Sequence, residues 1–280
     1  MAPLPSATVV LLRDGPGGLE VFLLRRHADS QVLGGAHVFP GGKVDPEDAD
    51  WIPRLDTPEA TLRDRLGEPG LQPRSAGALF VAAVREVFEE TGVLFADLAP
   101  ADARAAWAQL RGGRRFCELL GPRAPLLHVG ALHPWSRWIT PMLRSVSRKR
   151  FDARFFVAAV PAGQDAGHDS HEATASAWLA PAEALRRYMD RAIELAPPQV
   201  MSLAHLARHR DVASVLASAR ANPPPCIEPQ PLDIDGQRVL CYPGDPGHPL
   251  REQLLPGPTR LCWRNDHFEP EGGLAVLLGG

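Results

Sequence analysis

Short apolar runs bounded by charged and turn-forming residues mark two strands near the start of the chain, residues 7–13 and 20–26. The turn formers Asp14-Gly15-Pro16-Gly17-Gly18 between them predict a hairpin. The pattern then changes. Phe80, Ala83, Val84 and Val87 recur at helical spacing, and Thr91-Gly92 ends that helix with the residue type suited to a left-handed cap. Within residues 49–76, Thr57-Pro58-Glu59 leads into an apolar-periodic stretch closed by Gly67. This is an N-cap, a first-turn proline and acid, and a terminating glycine, so a short helix is predicted inside a long loop.

Downstream, residues 101–120 read as a helix interrupted at Gly112-Gly113, with Trp107, Leu110, Phe116 and Leu119 as packing positions. Strands are predicted at 128–138, 151–160 and 172–179. Helices follow at 181–195 and 198–221, the second broken near Arg210, and Pro223-Pro224-Pro225 stops them. Residues 226–280 are rich in Pro and Gly, with short strand-like pieces such as 237–242. Their few apolar residues cannot build a separate core, so they are expected to wrap over the rest. No internal repeat is visible.

Composition narrows the function classes. A chain of 280 residues can bury a full core, and a net charge of −3 with pI near 6.4 gives no global pull toward nucleic acid or an anionic membrane. Any phosphate binding must be local. Cys117, Cys226, Cys241 and Cys262 are scattered without a C-x-x-C, which fits a reducing cytoplasm better than a zinc site or disulfide framework. The first residues have only a short apolar run, broken by Arg13, and the longest apolar stretch elsewhere is 77–84. Neither a signal peptide nor a membrane span is predicted.

The chemistry concentrates where the helix ends. At about 100° per residue, Glu86 and Glu90 lie within roughly 40° of each other, with Glu89 flanking them. Like charges so placed repel by a few tenths of a kcal/mol, and a hard divalent cation would remove that cost. Arg85, four residues before Glu89, is placed to pair with its carboxylate. A solvated acidic helix face is the competing reading of such a cluster taken alone.

Phe39-Pro40-Gly41-Gly42 upstream and Arg85-Glu86-Val87-Phe88-Glu89-Glu90-Thr91-Gly92-Val93 together resemble the two halves of the Nudix box, G-x5-E-x7-R-E-U-x-E-E-x-G-U with U aliphatic. Asp48 stands where the box has its first Glu. There are 36 residues between Asp48 and Arg85, so about 29 are inserted. A box divided in this way resembles the branch that contains the peroxisomal coenzyme A diphosphatase. Gly35 to Gly42, Trp135-Ser136-Arg137-Trp138-Ile139-Thr140-Pro141, Arg150-Phe151-Asp152-Ala153-Arg154-Phe155-Phe156, Pro197-Pro198-Gln199 and Pro243-Gly244-Asp245 also look like segments of that branch, in its order. A second group of coenzyme A hydrolases carries L-L-T-x-R-[SA]-x3-R-x3-G before the Phe-Pro-Gly-Gly turn. Arg26 and Gly35 match it, whereas Leu24, His27 and Gln31 do not.

The resemblance implies an α/β fold: a Nudix α/β/α sandwich around a mixed sheet, with the insert at 49–76 and a helical C-terminal extension. The hydrolase domain would span 1–195 and the extension 196–280. It also implies hydrolysis of a diphosphate linkage, with Mg2+ or Mn2+ held by Glu86, Glu89 and Glu90, and with Arg85 and Glu172 in the catalytic set. Glu172 reads equally well as a surface residue. Arg26, Gly41, Gly42, Arg144 and Arg150 would bind substrate. Arg25 and Arg26 also read as solvated charges ending a strand, and the basic run 144–150 as a solvated loop. The expected partner is a coenzyme A type nucleoside diphosphate, without nucleic acid or membrane, and a homodimer is left open. The chain ends Leu277-Leu278-Gly279-Gly280, which is no peroxisomal address, so cytoplasm is the expected compartment. Two rivals stand: a diphosphatase for NADH or ADP-ribose type substrates, and a Nudix-fold binding module without turnover.

Overall fold

The structure is a computed structural model that describes residues 2–30, 33–121, 123, 125–141, 150–169 and 173–279. Its main sheet has eight strands: β1 (Leu4–Gly15), β2 (Gly18–Arg26), β3 (His37–Val38), β4 (Gly41–Lys43), β5 (His133–Ile139), β6 (Phe151–Ala159), β7 (Ala173–Leu179) and β8 (Cys226–Ile227). The predicted hairpin forms, with β1 and β2 antiparallel and Leu12 opposite Val21. β1 also runs parallel to β6 from Leu4 opposite Phe151 to Leu12 opposite Ala159. The sheet is therefore mixed, in the order β3-β2-β1-β6-β5-β8, with β7 on β2 and β4 on β1.

Central β1 is apolar on both faces, as a strand covered on both sides must be. Ala7, Val9 and Leu11 meet the helix layer of α1 (Glu59–Leu66), α2 (Pro73–Thr91), α3 (Pro100–Arg111) and α4 (Phe116–Leu120). Val10 and Leu12 face α5 (Pro181–Met189), α6 (Pro197–Leu206) and α7 (Val212–Ala221). This is the expected α/β/α sandwich.

Several boundaries are corrected. Val129–Ala131 is a 3-10 turn, so the strand expected from 128 begins at His133. The helix from Pro181 ends at Met189; Arg191 takes a left-handed conformation at φ 61, and Leu195 bridges to His37. The predicted break in 198–221 is real, and Asp211 caps α7 by accepting the Ser214 N–H at 2.8 Å. The extension carries the expected helices and adds a small sheet. β9 (Gln230–Ile234), β10 (Gln237–Cys241), β11 (Arg260–Arg264) and β12 (His267–Glu269) form a four-stranded antiparallel sheet, followed by α8 (Gly273–Leu278). Leu240, Tyr242, Leu261 and Leu277 from this region join the core on the α5–α7 face.

The insert differs most from the sequence reading. It begins as a 3-10 segment, Pro46–Arg54, continues through α1 and passes into the first turns of α2. Trp51, Leu62 and Leu66 are buried in the core. Glu68 holds Arg154 with both carboxylate oxygens, at 2.9 and 2.7 Å, and Arg137 at 2.9 Å. What the spacing suggested was a long loop is thus a fixed layer of the fold. Among the described residues no helix is long and apolar enough to cross a membrane.

Candidate active site

β4 carries the glycine turn to the last turns of α2. Gly41 pairs with Thr8 and Gly42 with Ala7, and the Gly41 N–H donates to Glu90 Oε2 at 3.0 Å. A Cβ on Gly42 would sit 2.4 Å from the Glu86 carboxyl carbon, and one on Gly41 would sit 2.3 Å from the Ala7 carbonyl oxygen. Only glycine lets the strand approach these carboxylates so closely. The two halves of the motif, far apart in the chain, are in contact.

Arg85 organises the acids. Its guanidinium has five N–H groups, and each has an acceptor: Nε and Nη2 on Asp48 at 2.8 and 3.1 Å, Nη2 also on the Lys43 carbonyl at 2.9 Å, and Nη1 on Glu86 and Glu89 at 2.8 and 3.0 Å. Asp45 lies 3.7 Å away. Burial by itself would lower the Arg85 pKa. The Asp48 hydrogen bond and the charges of Glu86, Asp48 and Glu89 outweigh it and raise the pKa above the ordinary arginine value. The predicted Arg85–Glu89 pair is present. The stronger pair is not marked by any local pattern: Asp48, 1% exposed and braced by the Asp45 N–H at 2.7 Å, grips Arg85 with both oxygens. The shorter acid at this box position is an anchor for the arginine.

The carboxylates grade from sealed to open. Glu90 is buried, while the Glu86 and Glu89 side chains are 15% and 30% exposed. Three carboxylates within little more than one helical turn form a hard-oxygen donor set of the kind Mg2+ or Mn2+ takes. Among the described residues no three acidic, imidazole or thiol groups converge as a closed ligand set. Instead the Arg85 Nη1 bridges Glu86 Oε1 and Glu89 Oε2. The donor chemistry fits a divalent cation. Asp45, Asp48, Arg85 and Glu89 line a cleft of about 180 Å³ together with Arg114, Arg115 and Cys117. In the sequence the 144–150 run is the only dense basic stretch. In this cleft Arg115 pairs with Glu47 and lowers its pKa, chiefly through the hydrogen bond.

The remaining expected site residues divide. Arg26 ends β2 opposite Ala173, whose N–H bonds Asp169 O at 3.0 Å; the Asp169 N–H in turn bonds Glu90 O at 3.2 Å. Arg26 is thus one strand from a segment fastened to the glutamate helix, and its buried Nε has no hydrogen-bond partner among the described residues. Arg150 is held by the Thr140 carbonyl at 2.8 Å and by Glu228 of the extension at 2.9 Å. None of its described bonds runs to Glu86, Glu89 or Glu90. Arg144 and Glu172 lie outside the described residues.

Comparison with known proteins agrees with this geometry. A family model for the NUDT19 Nudix domain matches residues 73–206. The human protein named acyl-coenzyme A diphosphatase NUDT19 is 29% identical over 238 residues, covering 71% of this chain and 63% of the relative. Its chicken (Gallus gallus) counterpart is 30% identical, covering 69% of this chain and 62% of the relative. The chain therefore spans somewhat less than two thirds of these relatives' length. A crystal structure of a NUDIX hydrolase from Alicyclobacillus acidocaldarius superposes with a TM-score of 0.62 at 26% identity, over 78% of this chain and 96% of that one.

Proposed function

This chain belongs to the Nudix hydrolase superfamily, and on that premise we propose that it hydrolyses the diphosphate linkage of coenzyme A or an acyl-coenzyme A. The products would be 3′,5′-ADP and 4′-phosphopantetheine. Residues 1–195 form the hydrolase unit in this reading and 196–280 its extension, and cytoplasm is the proposed compartment. The observation that carries it is the contact between the Gly41-Gly42 turn and the glutamates of α2, with Arg85 locked between them and Asp48. The names of the human and chicken relatives favour coenzyme A over other diphosphates.

Water attacking a diphosphate is opposed by the anionic oxygens it must approach, so the reaction needs positive charge at phosphorus and a group to orient or deprotonate water. Mg2+ or Mn2+ held by Glu86, Glu89 and Glu90 supplies that charge when bound. The chain's own part is to fix the donors. Gly41 and Arg85 hold carboxylate oxygens in place, and Asp48 keeps Arg85 from swinging away. A glutamate not consumed as ligand, or Glu172, accepts the proton from water. Arg26, Arg144 and Arg150 are proposed for the anionic substrate.

The test is product analysis by mass spectrometry. Coenzyme A, dephospho-coenzyme A, NADH and ADP-ribose are incubated separately with the protein and magnesium. Release of 3′,5′-ADP and 4′-phosphopantetheine at the fastest rate supports the reading. Faster cleavage of NADH or ADP-ribose overturns the substrate, and no cleavage of any of them overturns the activity.

A further inference from the structure

A helix leaves its last carbonyls without helical partners. In α2 those are the carbonyls of Phe88, Glu89, Glu90 and Thr91, and each has a separate donor. Phe88 O takes the Gly92 N–H at 2.9 Å, Glu90 O takes Asp169 N–H at 3.2 Å and Thr91 O takes Gly167 N–H at 3.0 Å. Glu89 O takes the indole N–H of Trp107, from α3, at 3.1 Å. Three of these donors are backbone groups and one is a side chain. From the sequence, Trp107 reads only as a packing position.

The indole also joins the surroundings of this helix end. Gly92, the left-handed cap at φ 77, lies so close that a Cβ there would be 2.7 Å from Trp107 Cδ2. A Cβ on Gly167 would be 3.1 Å from Trp107 Cη2, and the Arg111 guanidinium covers the ring at 4.5 Å. Trp107 is thus wedged between the cap of α2 and the 167–169 segment that binds the next two carbonyls. Its N–H is spent on the backbone of Glu89, the most exposed of the three glutamates.

We propose that Trp107 is a positioning residue that sets the backbone of Glu89 and Glu90 for metal binding. This rests on the reading of Glu86, Glu89 and Glu90 as the metal ligands. Groups that orient metal ligands from behind typically change affinity about 10- to 100-fold when removed.

The test is Mn2+ binding to the full chain, read from the electron paramagnetic resonance of free Mn2+, with thermal unfolding and steady-state kinetics alongside. Trp107→Phe keeps an aromatic ring and loses the donor. Its Mn2+ Kd is expected to rise about 10-fold, with kcat for coenzyme A falling and KM little changed. Gly167→Ala crowds the far end of the indole without removing it; it decides the matter if Trp107→Phe does not fold, and a weaker shift in the same direction is expected. A folded Trp107→Phe with wild-type Mn2+ affinity and only a lowered Tm overturns the inference and leaves the metal reading standing. Absence of Mn2+ binding in the wild type overturns both.

Discussion

Two guanidinium–carboxylate networks tie this molecule together, and they are built differently. Around Arg85, among the described residues, a single guanidinium meets Asp48, Glu86, Glu89 and, at 3.7 Å, Asp45. Beneath the insert, Arg137 and Arg154 meet Glu68 and Asp152 in all four combinations, at 2.7 to 2.9 Å. The second network is charge-balanced and closed on itself; it pins the insert to β5 and β6. The first is rich in acid and opens at Glu89 onto the cleft. Close ion pairs do not by themselves mark a site. Exposure graded along one helix turn, together with an unequal count of charges, is what separates chemistry from scaffolding here.

Breaking the balanced network should produce the largest change in stability. Replacing Arg154, whose side chain is 5% exposed, by Met leaves the half-buried Glu68 and Asp152 to share Arg137 alone. A loss of roughly 3–5 kcal/mol of folding free energy is expected, measured by urea unfolding. Turnover per folded molecule should be unchanged. A fall in kcat without loss of stability would show that the two networks are not separate in role.

The next largest effect lies in the open network and reverses the pattern. Glu86→Gln and Glu90→Gln are each expected to lower kcat/KM on the order of 100-fold or more, about 2.7 kcal/mol in barrier. The thermal transition should hardly move. A glutamine carbonyl at position 90 can still accept the Gly41 N–H, and fewer like charges share the turn. Near wild-type rates at saturating magnesium in both variants would remove the helix turn from the mechanism.

A smaller effect comes from histidines that neither network touches. Burial first, then His209 and Arg208, pushes His205 down to about 4; burial, then Arg65 and Arg220, does the same to His133. The folded state holds both neutral where an unfolded chain would protonate them, near pH 6.5. Their contribution to stability is therefore complete above about pH 6.5 and is lost as pH falls toward about 4. The Tm should decline across that window, and His205→Phe, which keeps a ring against Trp135, should flatten part of the slope. An unchanged slope in that variant would acquit His205.

Much of this was legible in the residues. The hairpin, the cap at Gly92 and the short helix before Gly67 follow from local rules that use neighbouring residues only. Glu86, Glu89 and Glu90 were legible for the same reason, being one turn of one helix. The grip of Asp48 on Arg85 was not, because it spans the insert and nothing local marks a carboxylate as buried. The first turns of α2 were hidden as well. Pro73, Arg74 and Ser75 carry no apolar stripe, so the start of the helix read as the end of the insert. An insert built this way cannot be exchanged for a short linker without loss of stability, since Trp51, Leu62, Leu66 and Glu68 would go too.

The most direct test of the contrast between the two networks is to count Mn2+ bound by the wild type, by Glu86→Gln and by Arg154→Met, the last below its unfolding temperature. The account predicts saturable Mn2+ binding in the wild type and in Arg154→Met with the same affinity, and binding weakened at least about 10-fold in Glu86→Gln. Equal affinity in Glu86→Gln, or a loss confined to Arg154→Met, would contradict it.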